Sequence, residues 1–82
     1  MGKSQLPDNA EPDRVLRTFG QRVRSRRLEL DLSQEQLAEV CGLDQTYLSG
    51  IERGVRNPTL RVIHRLAAGL RLSLSELFTL VD

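Results

Sequence analysis

The sequence predicts an all-α domain of five helices, and three observations carry that prediction. Apolar residues recur at spacings of three and four, and the alternation of half-buried strands appears nowhere. Helix-start signals repeat along the chain, each a Ser, Asp or Asn ahead of an apolar run. The composition is dominated by Leu, Val, Ile and Ala, with 4% aromatic residues and no Trp. A chain of 82 residues allows one domain with a small core. Such a core is marginal alone, so self-association is a natural further source of stability. Residues 1–12 read as a flexible polar arm and residues 13–82 as the folded domain.

The first helix is expected from about Asp13 to Leu30, with Pro12 suited to its first turn. Leu16, Phe19, Val23 and Leu30 form its apolar stripe, which Arg26 interrupts. Asp31 follows, a residue type that tolerates a left-handed conformation better than most. The second helix opens with a capping box, Ser33 and Gln36, and a hydrophobic staple, Leu32 to Leu37. Its apolar set is Leu37, Ala38, Val40 and Cys41, and Gly42 ends it. Asp44 caps the third helix, Leu43 staples to Leu48, Leu48 and Ile51 face inward, and Gly54 closes it. Asn57 and Pro58 read as cap and first residue of the fourth helix, buried through Leu60, Ile63, Leu66, Ala67 and Leu70. Arg71 stands where a C-terminal Gly is expected. The fifth helix has a box of Ser73 and Glu76, a staple of Leu72 and Leu77, and runs to the chain end. Leu74, Leu77, Phe78, Leu80 and Val81 are more apolar surface than one side of so short a helix buries in its own domain.

The formal net charge is only +1, yet eleven of the twelve basic residues are Arg. Six crowd positions 14–27 and four more positions 53–65. Arginine's planar fork suits bidentate recognition of phosphate and of base edges. The single cysteine, Cys41, rules out an intrachain disulfide and reads as a small core residue, since a redox role has no resolving partner. His64 has no metal-ligating neighbour at suitable spacing and reads as a surface position. No apolar run approaches membrane-spanning length, no secretory leader is visible, and a cytoplasmic protein is expected. There is no phosphate-binding Gly loop and no nucleophile–base set, so neither an enzyme nor a cofactor is expected.

The second and third helices, joined by Gly42-Leu43-Asp44, form a helix-turn-helix. With Leu48 and Ile51 inward, Gln45, Thr46, Ser49, Gly50 and Arg53 point outward at helical spacing. Such a helix fits the B-DNA major groove. Gln45 can pair with adenine, Arg53 with guanine or a phosphate, and Thr46 and Ser49 can donate or accept. Gly50 admits two readings, close backbone approach to DNA or a tolerated helix-weakening residue. Gln34, first in the second helix, lies where free N–H groups suit a phosphate. Tyr47 fits either the core or a sugar-phosphate contact, and Arg56 and Asn57 fit phosphate contacts just past the third helix.

Gln34, Ala38, Gly42, Leu48 and Ile51, followed by Glu52-Arg53-Gly54, resemble the DNA-binding unit of the phage-repressor-like (Cro-type, XRE) regulators. The run Leu43 to Arg53 with Arg56-Asn57-Pro58 looks most like the controller proteins of restriction–modification systems, although these often carry Arg where Gln45 stands. The resemblance spans roughly Phe19 to Leu80. It implies a five-helix lambda-repressor-like fold, base reading at Gln45, Thr46, Ser49 and Arg53, and an ion pair between Arg27 and Glu52. It implies double-stranded DNA as partner, bound by a homodimer on an inverted repeat. Leu74, Leu77, Phe78 and Leu80 are the expected dimer contacts. No small-molecule effector site is evident. The alternative is an antitoxin-like or coactivator-like interaction module on the same fold, which predicts weak, sequence-indifferent DNA binding.

Overall fold

The computed structural model describes residues 12–79. They form α1 (Pro12–Glu29), α2 (Gln34–Cys41), α3 (Gln45–Arg53), α4 (Leu60–Gly69) and α5 (Leu74–Leu77), with no strand among the described residues. The arm expected over residues 1–12 lies outside the described residues, except that Pro12 belongs to α1. No helix among them is long and apolar enough to cross a membrane.

Local chemistry sets most of the helix ends. Ser33 and Ser73 each accept a backbone N–H three residues on, at 3.0 Å, while Gln36 and Glu76 reach back to the cap N–H at 2.8 Å. Asp44 accepts from the Tyr47 N–H at 3.2 Å to start α3. Gly42 and Gly54 end α2 and α3 at φ of 70° and 80°, the left-handed region where a side chain is penalised. Asp31 and Arg71 do the same work after α1 and α4, both at φ 59°. In each case the next residue, Leu32 or Leu72, donates to a carbonyl five residues back, Arg27 or Ala67. Arg71 thus closes α4 in a conformation glycine would adopt without strain.

Two expected elements differ in extent. Asn57-Pro58 does not start α4; the cap is Thr59, whose hydroxyl accepts from the Val62 N–H at 3.2 Å. Pro58 is instead buried one residue ahead of the cap and lines a groove with Ile63, the pairing of a hydrophobic staple. That shift turns Leu60, expected in the core, outward to 70% exposure. The fifth helix is a single turn that ends at Leu77 with Phe78 as its cap, and Leu80 lies outside the described residues.

The core joins Phe19 and Val23 of α1, Leu37, Ala38 and Cys41 of α2, Leu48 and Ile51 of α3, Leu66, Ala67 and Leu70, and Leu77. Val40 faces solvent and is not part of it. Leu77 is completely buried in its own protomer, so it fills the core and has no surface to offer a second subunit, contrary to expectation. Arg26 explains why a basic residue interrupts the α1 stripe. Its Nε donates to the Leu70 carbonyl at 3.0 Å, satisfying the C-terminal end of α4. One turn earlier, Arg22 donates to the Glu76 carbonyl of α5 at 3.1 Å. α1 therefore holds α4 and α5 through two arginine–carbonyl bonds, aided by the Phe19–Phe78 pair with ring centroids 6.1 Å apart.

Candidate nucleic-acid interface

The reading surface begins with how α3 is fixed. Leu48 and Ile51 anchor one side in the core. On α1, Gly20 lies against the Ile51 and Glu52 carbonyls, so closely that a methyl group there would clash with backbone. That approach brings Arg27 to Glu52. The two side chains meet in a fork, Nε to Oε2 at 2.7 Å and the second terminal nitrogen to Oε1 at 3.0 Å. Both residues are 7% exposed. The remaining Arg27 nitrogen donates to the Leu32 carbonyl at 2.8 Å, in the turn between α1 and α2. The ion pair that the resemblance implies is thus present, with every donor nitrogen of the guanidinium engaged.

The pair has a third member. The Gln34 side-chain amide donates to Glu52 Oε1 at 3.0 Å. One carboxylate therefore ties α3 to α1 through Arg27 and to the start of α2 through Gln34. Position alone points Gln34 at a phosphate. One of its two amide hydrogens is committed to Glu52, and the other is left for an outside acceptor. Spacing could have suggested this tie, since residue types able to bond the Glu52 carboxylate stand on both flanking helices.

Gln45, Thr46 and Arg53 are exposed and Ser49 half-buried, so the four base-reading candidates share the outer side of α3. Arg53 Nε approaches the Ser49 hydroxyl at 3.4 Å, one turn away along that face. Gly50, expected outward with them, is buried. The chain after α3 folds back over it, Val55 N–H bonding the Gly50 carbonyl at 2.9 Å, and a Cβ on residue 50 would lie 2.5 Å from Arg56 Cγ. Its small size makes room for the loop that carries Arg56. Arg56 and Asn57 are exposed on that loop. Tyr47 is half-buried and packs against the core cluster. Of the expected dimer contacts, Leu74 is half-buried and Phe78 is 46% exposed.

Burial pushes the Cys41 thiol above its usual value, a rise only partly offset by a hydrogen bond to the Gly69 backbone. Among the described residues, no group of His, Cys, Asp and Glu is placed to hold a metal ion.

Comparison with known proteins assigns this arrangement. Residues 23–77 match the helix-turn-helix family model, which takes in α2, α3, α4 and α5 with part of α1. The chain is 45% identical over 65 residues to the control protein C.MunI of Mycoplasma sp., covering 78% of this chain and 88% of that one. It is 48% identical over 61 residues to the control protein C.SmaI of Serratia marcescens, covering 74% and 73%. The crystal structure of the restriction–modification controller protein C.AhdI from Aeromonas hydrophila superposes with a TM-score of 0.76 at 48% identity, covering 78% of this chain and 97% of that one. A capped pair of helices, an exposed polar face on the second of them and a family match across both make this chain a member of the XRE-type helix-turn-helix family of DNA-binding transcription regulators.

Proposed function

We propose that the chain is a restriction–modification controller that binds an inverted-repeat operator as a symmetric homodimer in the cytoplasm. The observation that carries the dimer is exposed apolar surface outside α3. Leu60, Val15 and Phe78 are exposed at 70%, 45% and 46%, and half-buried Leu74 shares a shallow groove with Leu60 and His64. This surface revises the expected one, in which the fifth helix supplies much of the interface: Leu74 and Phe78 remain in it, and Leu60 takes the place of the buried Leu77. A two-fold axis through it sets two reading helices about 34 Å apart, one helical turn of DNA.

Each α3 then enters a major groove with Gln45, Thr46, Ser49 and Arg53 toward base edges. Arg56, Asn57, Tyr47 and the second amide hydrogen of Gln34 hold the backbone. The names of the relatives supply the restriction–modification setting.

Selection from random duplex followed by footprinting tests the reading. A palindromic site protected on both half-sites, bound by two chains, is the expected result. Equal affinity for random duplex would favour a protein-interaction module on the same fold and overturn the proposal.

A further inference from the structure

We propose that the outer face of α1, through Arg14, Arg17 and Arg24, is a second DNA-backbone surface that grips duplex flanking the bases read by α3. The inference rests on α3 occupying the major groove, and it concerns residues that lie outside the helix-turn-helix.

Arg14, Arg17, Gln21 and Arg24 recur at three and four residues, so they stand on one face of α1, and all four are exposed. From Arg14 to Leu28 the helix carries no acidic residue. Among the described residues the ion pairs are Arg26–Glu29 and Arg27–Glu52, so the three outer arginines have no carboxylate there to neutralise them. Arg22 and Arg26 point the other way, onto the ends of α5 and α4. One helix thus sorts its arginines by face, Arg22 and Arg26 bound to backbone carbonyls and the outer ones without a carboxylate partner among the described residues.

The outer face is also in the right place. A Cβ on Gly54 would lie 2.8 Å from the Arg17 Cα and 3.0 Å from its backbone nitrogen. Arg17 therefore abuts the C-terminal end of α3, beside Arg53 and the loop bearing Arg56. Arg14, Arg17, Arg53 and Arg56 form an exposed basic collar around that helix end. The partial negative charge of the helix terminus eases their mutual repulsion without neutralising them. With α3 in the groove, the acceptor beside the collar is the phosphate ridge that borders it, and a guanidinium fork fits phosphate oxygens.

The test compares wild type with the Arg14→Gln/Arg17→Gln variant on the selected operator, with long and with trimmed flanks, across a salt series. The variant is expected to bind the long duplex at least about tenfold more weakly. Its salt dependence should fall by about one unit for each phosphate it no longer neutralises. Preference for operator over scrambled core should be unchanged, and trimming the flanks should bring wild type and variant together. Arg17→Lys, which keeps the charge, should restore most of the affinity. Unchanged affinity and salt slope with a lower melting temperature would mean that the face only steadies the end of α3, and would overturn the proposal. A weakening independent of flank length would overturn it too. Absence of operator preference in the wild-type protein is a separate result, and it would count against base reading by α3.

Discussion

Arg27 and Glu52 are 25 residues apart in the chain and meet in a two-point ion pair that is almost wholly buried. Through it the helix that scaffolds the domain and the helix proposed to read DNA share one rigid junction. Removing either partner leaves the other buried without compensation. Glu52→Ala is expected to cost about 3–5 kcal/mol and to weaken operator binding in parallel. Urea denaturation followed by binding measured on the folded fraction checks both effects. Arg27→Met/Glu52→Leu, which removes both charges, should be less destabilised than the single variant.

The proposed dimer face makes a prediction that separates two leucines. Leu60→Asp should leave the fold intact and yield a monomer in sedimentation equilibrium, since Leu60 is exposed in the protomer. Leu77→Asp should unfold the protein, because Leu77 has no exposed surface at all. A folded, dimeric Leu60→Asp protein would displace the interface from this face.

The chain reversals after α1 and α4 hold strain, because neither uses glycine. An L-residue in the left-handed region pays about 1–2 kcal/mol. Arg71→Gly removes that strain and returns part of it as unfolded-state entropy, leaving a gain of about 0.5–1 kcal/mol. The melting temperature should rise by roughly 3–6 °C for a domain of this size. Asp31→Gly should gain less, because Asp tolerates the conformation better.

Cys41 should behave as a core residue. Its thiol is held above its usual pKa by burial, so the protonated form is favoured in the folded state. Stability from this group is present below the unfolded value and declines as pH rises through the folded one. Thiol-specific reagents should label native protein far more slowly than denatured protein. Fast labelling at neutral pH would contradict the burial.

Acid should fray the fifth helix first. The Ser73 backbone N–H, which donates to the Glu76 carboxylate, lowers its pKa, with the neighbouring Ser73 hydroxyl adding to the effect. The capping box is therefore whole above the ordinary carboxylate range and is lost as pH falls through the lowered value. Amide exchange of the α5 turn, measured from neutral to acid pH, should rise before exchange of α3 does. Glu76→Gln, which keeps the bond without the charge, should remove most of that pH dependence.

Much of the fold was legible because its signals are local. Ser33, Asp44 and Ser73 each bond an amide three residues on, and the amino acids concerned lie within one turn. Where two local signals competed, sequence chose wrongly. Asn57-Pro58 carries the local signature of a helix start, yet the helix is capped by Thr59, with Pro58 buried ahead of it and lining a groove beside Ile63. The buried state of Gly50 depends on the loop after α3 returning across it, a tertiary event that helical periodicity does not register. The destinations of Arg22 and Arg26 were illegible for a related reason. Their acceptors are main-chain oxygens, which every residue has and no sequence pattern marks. The one available clue was Arg26 itself, a charged residue within an apolar stripe.

Those two arginine bonds bear on how such a protein diversifies. A main-chain oxygen is supplied by whatever residue stands at its position, so the fastening of α4 and α5 to α1 does not depend on the side chains at 70 and 76. The exposed side chains proposed to face a partner subunit are free to drift while the attachment stays put. The side chains proposed to read DNA stand on a different helix, α3, held by a different clamp, the Arg27–Glu52 pair. If those proposed roles hold, duplicated copies of this gene in one cell can acquire separate pairing partners and separate operators, each by a few surface changes, with no rebuilding of the scaffold between them.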